Sequence, residues 1–399
     1  MCRVQLRRVV ACALISSSAL AARADPWGCD ALPPSAFATH TLRSPDGRLE
    51  LDFLAYGGTA QRLRVRAHRD AAVDVLLGFD DATQYCRGTF GQAGHPYFGA
   101  LIGRVANRIS GGAFPFAGCA GGECHTPVNE LPGNDTLHGG TFGYDRRVWA
   151  VTPLNGSAAQ LDYTSPAGEM GFPGELAVSV TYVLTEEPAW RILYAAHTTD
   201  GSDTVFAPTQ HAYWNLNGAR DLVLEHELSM PAGAHFVEVD QFLLPTGAIG
   251  AVRDRDADFL DFTRGKPVGR DINRTTVYSW GTGYDNAWIF DGWVPGGREQ
   301  EQLTVVSPLS GIGMTFSTDQ PSVQVYSGNF LNGTIPQKAS QNPQAFYEHW
   351  GALAIEAQHF PDASNHPSFP PITLKSGEVY RQRTSYRFFG EGLADHDDD

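Results

Sequence analysis

The sequence predicts an all-β protein built as one large sandwich with few, short helices. Charged residues make up 18% of the chain, which also has 43 glycines and 25 prolines, a balance typical of many strands joined by turns. Polar and apolar residues alternate with a period of two in segments spread along the chain, such as 49–53, 178–183 and 303–305. Helix-like patterns are short, for example at 268–273, and no repeat is visible. These observations indicate a single β-rich domain.

The N-terminal residues have the pattern of a secretory signal peptide. Arg3, Arg7 and Arg8 precede an apolar stretch at 9–22, and Ala-Arg-Ala at 22–24 fits a small-x-small cleavage site. The stretch is short and contains three consecutive serines, which favours a cleaved signal over a membrane anchor. We therefore expect residues 1–24 to be removed, the chain to be exported to the periplasm or the extracellular space, and the mature protein to make no membrane contact.

Three segments follow the signal peptide. Residues 25–45 are expected to form an irregular N-terminal extension, residues 46–390 the β-sandwich domain, and residues 391–399 a solvated acidic tail. The formal net charge is −15, and cleavage of the signal removes four arginines and no acid. Because the mature chain is strongly acidic, nucleic acid and anionic membrane surfaces are excluded as expected partners.

Four cysteines remain after the signal peptide, and an even number in an exported chain predicts two disulfides. Cys119 and Cys124 flank a short segment typical of a hairpin tip, so we expect them to pair with each other. Cys29 is then left to pair with Cys86. A metal site is the alternative, but the cysteines and histidines lack the clustered spacing of metal ligands.

An acid within an apolar run is the first candidate for chemistry. Glu356 lies in Leu-Ala-Ile-Glu-Ala-Gln at 353–358. In a strand it would share one face with Ala354 and Gln358, while the apolar neighbours would occupy the other face. Burial of a carboxylate is costly and raises its pKa. Glu356 is therefore either a paired structural ion or a group that transfers protons.

A histidine at the centre of an aromatic and amide-rich segment is the second candidate. His211 lies in the segment 208–218, which also contains tyrosine, tryptophan and asparagine. Histidine titrates near neutrality, so it can give a proton to a leaving oxygen and recover it later. Aromatic faces and amides suit the C–H and O–H surfaces of a sugar. A structural role for a lone histidine is the alternative.

Two glycine-rich segments carry hydrogen-bond donors. Phe-Gly-Ala-Leu-Ile-Gly-Arg-Val-Ala-Asn-Arg-Ile at 98–109 contains Arg104, Asn107 and Arg108, and Leu-His-Gly-Gly at 137–140 contains His138. The glycines would let a ligand approach the backbone. The arginines could instead be surface or ion-pair residues, and His138 could be a turn residue. No lysine or helix signal follows the paired glycines, so they do not form a phosphate-binding loop.

Two further polar residues lie among aromatic or apolar neighbours. Asp285 occurs in Gly-Tyr-Asp-Asn-Ala-Trp at 283–288, and Gln324 shares a predicted strand face with Tyr326. Both side chains could hold sugar hydroxyls. The alternatives are turn chemistry for Asp285 and a half-exposed strand for Gln324.

The order of these segments resembles that of the aldose 1-epimerases, the galactose mutarotase family. The matching motifs are Gly-Arg-Val-Ala-Asn-Arg-Ile at 103–109, Leu-His-Gly-Gly at 137–140, Gly-Phe-Pro-Gly at 171–174, the His211 segment, Leu-Pro-Thr-Gly at 244–247 and the Glu356 segment through 369–370. The resemblance covers about residues 45–390. It implies a large single-domain β-supersandwich and interconversion of the α and β anomers of free aldoses such as glucose and galactose. It also implies that no metal or cofactor is used.

The resemblance assigns roles residue by residue. Glu356 matches the catalytic base of the family and His211 its catalytic acid. The residues that match its sugar-binding positions are Asn107, Arg108, His138, Asp285 and Gln324. Gln210 stands where asparagine is common, and Asn286 where histidine is common, and both differences bear on hydroxyl recognition. Two alternatives are a non-catalytic sugar-binding module and an epimerase of phosphorylated hexoses, which would require a basic phosphate pocket.

Overall fold

The computed structural model describes residues 28–68, 71–88, 96–130, 133–275 and 281–390. The expected signal peptide at 1–24 and the expected acidic tail at 391–399 lie outside these ranges. In the described part, the chain is made of strands with one short α-helix and several single-turn 3₁₀ helices. None of the described helices is long and apolar enough to cross a membrane.

The strands are numbered here in chain order. They are β1 (Thr39–Arg43), β2 (Leu49–Leu54), β3 (Ala60–His68), β4 (Ala71–Asp74), β5 (Leu101–Ile102), β6 (Arg108–Ile109), β7 (Ala113–Pro115), β8 (Glu123–His125), β9 (Thr136–Leu137), β10 (Ala150–Asn155), β11 (Ala158–Ser165), β12 (Leu176–Leu184), β13 (Ala189–Thr198), β14 (Thr204–Val205), β15 (Thr209–Gln210), β16 (Tyr213–Trp214), β17 (Glu227–Ser229), β18 (His235–Val239), β19 (Pro245–Ala251), β20 (Lys266–Pro267), β21 (Asp285–Ile289), β22 (Gln300–Val306), β23 (Gly313–Thr318), β24 (Ser322–Tyr326), β25 (Ile335–Pro336), β26 (Phe346–Tyr347), β27 (Leu353–Gln358), β28 (Thr373–Leu374) and β29 (Tyr380–Phe389).

The helices are short and connect strands. The α-helix is α1 (Gln84–Arg87), and the 3₁₀ turns are Cys29–Ala31, Pro34–Phe37, Ser110–Gly112, Ala120–Gly122, Tyr144–Arg146, Glu169–Gly171, Val223–Glu225, Asp258–Leu260, Val268–Arg270, Ile272–Arg274 and Ala363–Asn365. The helical pattern predicted at 268–273 corresponds to two of these turns. The fold therefore has the all-β architecture that the sequence predicts.

Three antiparallel sheets form the body of the molecule. The largest has nine strands in the order β10-β11-β12-β13-β29-β23-β22-β17-β20. A six-stranded sheet has the order β16-β27-β24-β21-β18-β19, and a four-stranded sheet has the order β1-β2-β3-β4. One apolar core contains side chains from all three sheets. This arrangement is a large sandwich in which strands distant in sequence become neighbours.

Strand β12 shows why these residues form a sandwich. Its residues alternate strictly between buried and half-buried positions, and Val178, Val180 and Tyr182 enter the core. β-branched and aromatic side chains suit such a pleated, half-buried surface. The alternations predicted at 49–53 and 303–305 likewise fall in β2 and β22.

The N-terminal segment is more regular than its sequence indicates. Residues 39–43, within the segment expected to be irregular, form β1 and pair with β2 in register from Thr39–Leu54 to Arg43–Glu50. Leu42 is buried in the core. The irregular part of the described extension therefore ends before Thr39, because Leu42 supplies an inward-facing contact for the sheet.

Both predicted disulfides are confirmed. Cys29 is bonded to Cys86 with a Cα–Cα distance of 5.9 Å, which ties the N-terminal extension to α1. Cys119 is bonded to Cys124 with a Cα–Cα distance of 5.2 Å. This second bond, the hairpin disulfide, closes the tip between β7 and β8, as the spacing of the cysteines predicts.

The three lysines of the chain differ in their surroundings. Lys338 is buried, with its Nζ 2.8 Å from Asp74 Oδ2, and it also donates to the carbonyl oxygen of Gln61. Lys266 is also buried and pairs with Asp271 at 2.7 Å. Lys375, by contrast, has 61% of its side chain exposed and pairs with the carboxylate of Asp203.

Candidate active site

The site begins on one face of the six-stranded sheet. Strand β27 lies between β16 and β24, and its register places Gln324 of β24 directly opposite Glu356. Side chains directly opposite each other in a sheet point to the same side. The alternate residues of these strands, including Ile355 and Val325, enter the main core. The predicted division of β27 into an apolar face and a face with the acid is confirmed.

His211 is brought to Glu356 by backbone pairing. The residues before and after it form β15 and β16, and Tyr213 of β16 pairs with Ala354 of β27. The His211 N–H donates to the carbonyl oxygen of Ala100, and the Gly99 N–H donates to the carbonyl oxygen of His211. The imidazole is therefore held between the glycine-rich segment and the strand that carries the acid.

The two candidate proton-transfer groups contact each other. Nε2 of His211 lies 3.4 Å from Oε1 of Glu356, and both side chains are almost completely buried. An acid and a base that act on one sugar would be expected to be separated across it, and the contact corrects this expectation. The ring oxygen and the anomeric hydroxyl of a sugar are bonded to the same carbon, so an acid and a base that serve them can lie this close.

The environment of Glu356 makes its carboxyl group basic. Burial raises its pKa well above the ordinary value, the charge of Asp285 raises it further, and the charge of Arg108 lowers it. Among the described residues, Oε2 of Glu356 has no hydrogen-bond partner. A buried carboxyl with an uncommitted oxygen in contact with a histidine can exchange a proton with a third group.

Asn107 and His138 hold each other in place. Both residues have left-handed backbone conformations, with φ of 62° and 53°. The Asn107 N–H donates to Nδ1 of His138 at 3.1 Å, and the His138 N–H donates to the carbonyl oxygen of Asn107 at 3.0 Å. Since Nδ1 accepts a hydrogen bond from an amide, neutral His138 carries its proton on Nε2. His138 is thus a fixed N–H donor, and its ring lies 5.1 Å from that of His211.

Arg108 is buried and paired. Its Nε and Nη2 donate to the two carboxylate oxygens of Glu130 at 2.7 and 2.8 Å. The backbone N–H of Arg108 also donates to Oδ1 of Asn107. Glu130 could not be recognised from the sequence, because its segment at 127–134 is rich in proline, glycine and asparagine and is typical of an exposed turn. The ion-pair alternative for Arg108 is correct, and the surface alternative is wrong.

Asp285 and Gln324 form a hydrogen-bonded pair on the same sheet face. Nε2 of Gln324 donates to Oδ1 of Asp285 at 2.6 Å, and Nε2 of Gln358 donates to Oε1 of Gln324 at 3.4 Å. Burial raises the pKa of Asp285, whereas the charge of Arg108 lowers it. Asp285 lies in strand β21 and Gln324 is buried, so the turn and half-exposed alternatives are wrong.

Arg104, in contrast, supports the fold. Its guanidinium donates to the carbonyl oxygens of Pro173 and Gly174 and to the hydroxyls of Ser165 and Thr204. The side chain is 1% exposed, so it is not a surface residue. The Gly-Phe-Pro-Gly segment at 171–174 is thereby fastened to the glycine-rich segment that contains Asn107.

The glycines of the two motifs serve backbone packing. A Cβ atom on Gly139, whose φ is +84°, would lie 2.0 Å from the carbonyl oxygen of Gly103. A Cβ atom on Gly103 would lie 2.3 Å from the ring of Tyr144. The expectation that these two glycines open the backbone to a ligand is therefore wrong, because protein atoms already fill the space beside them.

Tyr97 is an aromatic neighbour of both histidines that the sequence analysis missed. Its ring centroid lies 4.7 Å from that of His138 and 5.8 Å from that of His211. The ring of Tyr213 stacks on the His211 imidazole at 5.0 Å. The sequence does carry a signal for these aromatic contacts, because aromatic residues lie next to His211 and immediately before Gly99, at the edges of the two motifs.

The His–His–Glu cluster, formed by His138, His211 and Glu356, has potential ligand atoms within 4.8 Å of one another. A histidine that ligates a metal usually donates its other ring N–H to an acceptor. Nδ1 of His138 instead accepts an N–H from Asn107, which leaves a proton on Nε2. The arrangement therefore suits an N–H donor to a substrate oxygen better than a metal ligand.

Contacts and electrostatic interactions connect the seven residues to which roles are assigned above. Glu356 contacts His211, whose ring is next to His138, and His138 is bonded to Asn107, which is bonded to Arg108. The charge of Arg108 acts on both Asp285 and Glu356, and Gln324 binds Asp285. The residues come from six separate segments between positions 107 and 356.

Known proteins resemble this chain over most of its length. The sequence pattern of the family described as aldose 1-epimerase matches residues 39–387. Galactose mutarotase of Rattus norvegicus is 33% identical over 363 residues, which cover 90% of this chain and 96% of that protein. Aldose 1-epimerase of Escherichia coli K12 is 30% identical over 353 residues, which cover 88% of this chain and 95% of that protein.

A solved structure has the same fold. The GalM/aldose epimerase homologue from C. elegans superposes with a TM-score of 0.75 at 28% sequence identity, covering 88% of this chain and 99% of that chain. The family pattern spans the whole sandwich from β1 to β29, and the relatives are matched over nearly their entire length. This chain therefore belongs to the aldose 1-epimerase family of isomerases.

Proposed function

We propose that the chain interconverts the α and β anomers of free aldoses by acid–base ring opening, with Glu356 as the base and His211 as the acid. The observation that carries this proposal is the contact between Nε2 of His211 and Oε1 of Glu356 at 3.4 Å inside a buried polar cluster. Each proton-transfer group contributes typically about 10²- to 10⁴-fold to a rate. Two groups that act on oxygens of the same carbon suffice for this reaction.

The proton balance of the cycle is closed by the pair itself. Glu356 takes the proton of the anomeric hydroxyl, the bond between C1 and the ring oxygen breaks, and His211 gives its proton to the ring oxygen. The sugar is then an open-chain aldehyde. Rotation about C1–C2 presents the other face of the carbonyl, the ring oxygen attacks C1, and both protons return. Glu356 and His211 together hold one proton at the start and at the end.

The raised pKa of Glu356 supports its role as the base. Its carboxylate is poorly solvated, because burial is the largest cause of the shift. A protonated His211 at 3.4 Å compensates the charge until the sugar hydroxyl supplies a proton. When the proton moves from the sugar to Glu356, the cost of burying the carboxylate is removed, which favours ring opening.

The remaining residues would orient the sugar. His138, with its proton fixed on Nε2, and Arg108, whose charge reaches Glu356, are placed to stabilise charge that develops on the ring oxygen. Asp285 and Gln324 would bind hydroxyls further along the ring. Since Gln324 donates to Asp285, it presents its other amide hydrogen and its carbonyl oxygen to a ligand or neighbour.

The alternative of a phosphorylated hexose is less favourable. A phosphate pocket requires cationic groups that are available to the ligand. Arg104 donates to backbone carbonyls and hydroxyls, and Arg108 donates to both oxygens of Glu130. Both candidate arginines are therefore committed to protein acceptors, and a neutral sugar suits the site better.

Export of the chain is a further part of the proposal. The signal-like residues 1–24 support it, and so do the two disulfides, which persist mainly in oxidising compartments. The substrate would then be a free aldose outside the cytoplasm. Comparison of the mature N-terminus by mass spectrometry with the predicted cleavage after Ala24 tests this part.

Polarimetry of fresh α-D-galactose and α-D-glucose tests the reaction. The purified chain is expected to accelerate the approach to anomeric equilibrium, and Glu356→Gln and His211→Asn are each expected to slow it at least about 100-fold. Matched control variants are Glu225→Gln and His197→Asn, whose side chains are exposed. Binding of the sugar by calorimetry without any acceleration by the wild-type chain would select the non-catalytic module instead.

A further inference from the structure

A pair of acidic residues lies next to Arg108. Glu130 and Asp135 are partners in an antiparallel bridge, in which each backbone N–H donates to the carbonyl oxygen of the other residue, at 3.2 and 3.3 Å. Residues paired in this way project their side chains to the same side. The two carboxyl groups are therefore neighbours on the same side of this backbone bridge.

The two acids differ in their partners. Both oxygens of Glu130 accept hydrogen bonds from Arg108, at 2.7 and 2.8 Å. Asp135 is completely buried, and among the described residues neither of its oxygens receives a hydrogen bond. Its carboxyl group lies where a side chain on Gly133 would be, because a Cβ atom there would be 2.4 Å from Oδ2.

The surroundings of Asp135 favour its protonated form. Burial is the largest cause that raises its pKa, to about 7, and the neighbouring charge of Glu130 adds to this shift. The charge of Arg108 opposes the shift, and the charge of Asp240 adds to it. A protonated Asp135 can donate to Glu130, whereas two neighbouring ionised carboxylates repel each other.

We infer that Asp135 and Glu130 share one proton next to Arg108. This proton positions the Arg108 side chain and sets the net charge that Arg108 and the two acids together present to the sugar. With the proton in place, Arg108, Glu130 and Asp135 together are neutral. Without the proton, the three residues carry one net negative charge, and repulsion from Asp135 weakens the hydrogen bonds between Glu130 and Arg108. Glu130 and Asp135 are positioning residues, since they act on the sugar through Arg108.

Loss of the shared proton would also affect the proposed catalytic pair, Glu356 and His211. Arg108 lowers the pKa of both Asp285 and Glu356, so its position and net field bear on the sugar-binding side and on the base. Ionisation of Asp135 would weaken this field as the pH rises through neutrality. The inference rests on the proposed function, because it concerns how well the same site holds an aldose.

The pH dependence of KM tests the inference. In the wild-type chain, KM is expected to rise about threefold to tenfold from two units below to two units above neutrality because of the added charge. Asp135→Asn places a permanent amide donor beside Glu130, so it imitates the protonated state, and its KM is expected to stay flat. The matched control Asp256→Asn, at an exposed position, should follow the wild type. A profile of Asp135→Asn that overlays the wild type would overturn the inference.

A sugar-free measurement separates this inference from the proposed function. With a ¹³C label on aspartate carboxyl carbons, one resonance is expected to titrate near neutrality in the wild type and to be missing from Asp135→Asn. If that resonance titrates in the acidic range of ordinary aspartates, the shared proton does not exist. If it titrates near neutrality while the wild-type chain accelerates no mutarotation, the carboxyl pair stands and the proposed function fails.

Glu130→Gln provides the complementary result. This variant removes the charge that pairs with Arg108 and also the charge that holds the proton on Asp135. KM is expected to rise about tenfold at all pH values, because Arg108 loses the two charge-assisted hydrogen bonds that position it, while kcat changes less. A purely structural role would lower stability without moving KM, and that outcome would contradict the inference.

Discussion

Substitution of Glu356 by glutamine distinguishes a catalytic base from a structural ion. The amide keeps the shape of the side chain and removes its charge. If Glu356 were a structural partner of His211, the loss of that charge would destabilise the fold. If Glu356 is the base of the reaction, the loss would fall on the rate and leave the fold nearly unchanged.

The contact distance gives the size of the electrostatic interaction. Two unit charges at the observed 3.4 Å attract each other by about 5 kcal/mol at an effective dielectric constant of about 20. Desolvation of two buried ions costs several kcal/mol for each ion. The ion pair therefore contributes little net stability. Moreover, His211 can release its proton when the carboxylate is gone, so no uncompensated charge remains buried.

The expected result is a dissociation between stability and rate. The free energy of unfolding of Glu356→Gln should stay within about 1 kcal/mol of the wild type or increase. The enzyme-dependent rate should fall about 10²- to 10⁴-fold, which corresponds to about 3 to 5 kcal/mol in the activation barrier.

Urea unfolding and polarimetry on the same preparations measure the two quantities. The reasoning would be refuted by a loss of about 3 kcal/mol or more in unfolding free energy, together with a rate that falls only in proportion to the folded fraction. That result would make Glu356 a structural ion, the alternative that the isolated sequence run leaves open.

Three further predictions concern stability and metal dependence. Burial lowers the pKa of His226 to about 4. Between about pH 6.5 and about pH 4, this histidine is therefore protonated in the unfolded chain and neutral in the folded chain. Stability should therefore fall with decreasing pH by about 2 kcal/mol at about pH 5, and urea unfolding of His226→Gln should show that much less acid sensitivity. Replacing Cys29 and Cys86 by serine opens a loop with a sequence separation of 57 and should lower stability by about 4 kcal/mol, against about 2 kcal/mol for the hairpin disulfide with its separation of 5; equal shifts in Tm would contradict the loop argument. Dialysis against a chelator should leave mutarotation unchanged, whereas a loss that zinc restores would show that the His–His–Glu cluster holds a metal.

The strands were the most predictable part of this molecule because their signal is local. In β12 each residue reveals its side of the sheet by its own polarity, and the burial of Val178, Val180 and Tyr182 follows from that period of two. The order of the strands in the nine-stranded sheet could not be predicted from such local patterns. The pairing of β13 with β29, nearly 200 residues apart, leaves no mark in either segment alone.

The site residues were recognisable only as a set. Glu356, His211 and Gln324 each had a structural alternative, and the order of the motifs along the chain suggested a common site. The structure adds the register that sets Gln324 opposite Glu356 and the contact that joins Glu356 to His211. Register depends on pairing between distant segments, so no local pattern could provide it.

The residues that escaped prediction are those whose burial depends on another segment. Glu130 and Asp135 belong to a polar segment whose composition is typical of an exposed turn, yet pairing of β6 with β9 brings these two residues next to Arg108. Asp285 was a predicted site residue, but its burial also depends on another segment, because its local composition is that of a turn and pairing with β24 places it in a sheet. In each case a long-range backbone pairing outweighs the local preference.

The placement of the three lysines bears on the chemical durability of an enzyme that opens sugar rings. Open-chain aldoses are aldehydes, which condense with unprotonated amines to form Schiff bases and then glycation products. Burial lowers the pKa of Lys338 and would make it a good nucleophile, but the same burial shields it from the sugar. The exposed Lys375 is held protonated, because its hydrogen bond to Asp203 raises its pKa. Because the surface carries arginine in place of lysine, the aldehyde that the enzyme forms from its substrate meets very few side-chain amines that it could modify.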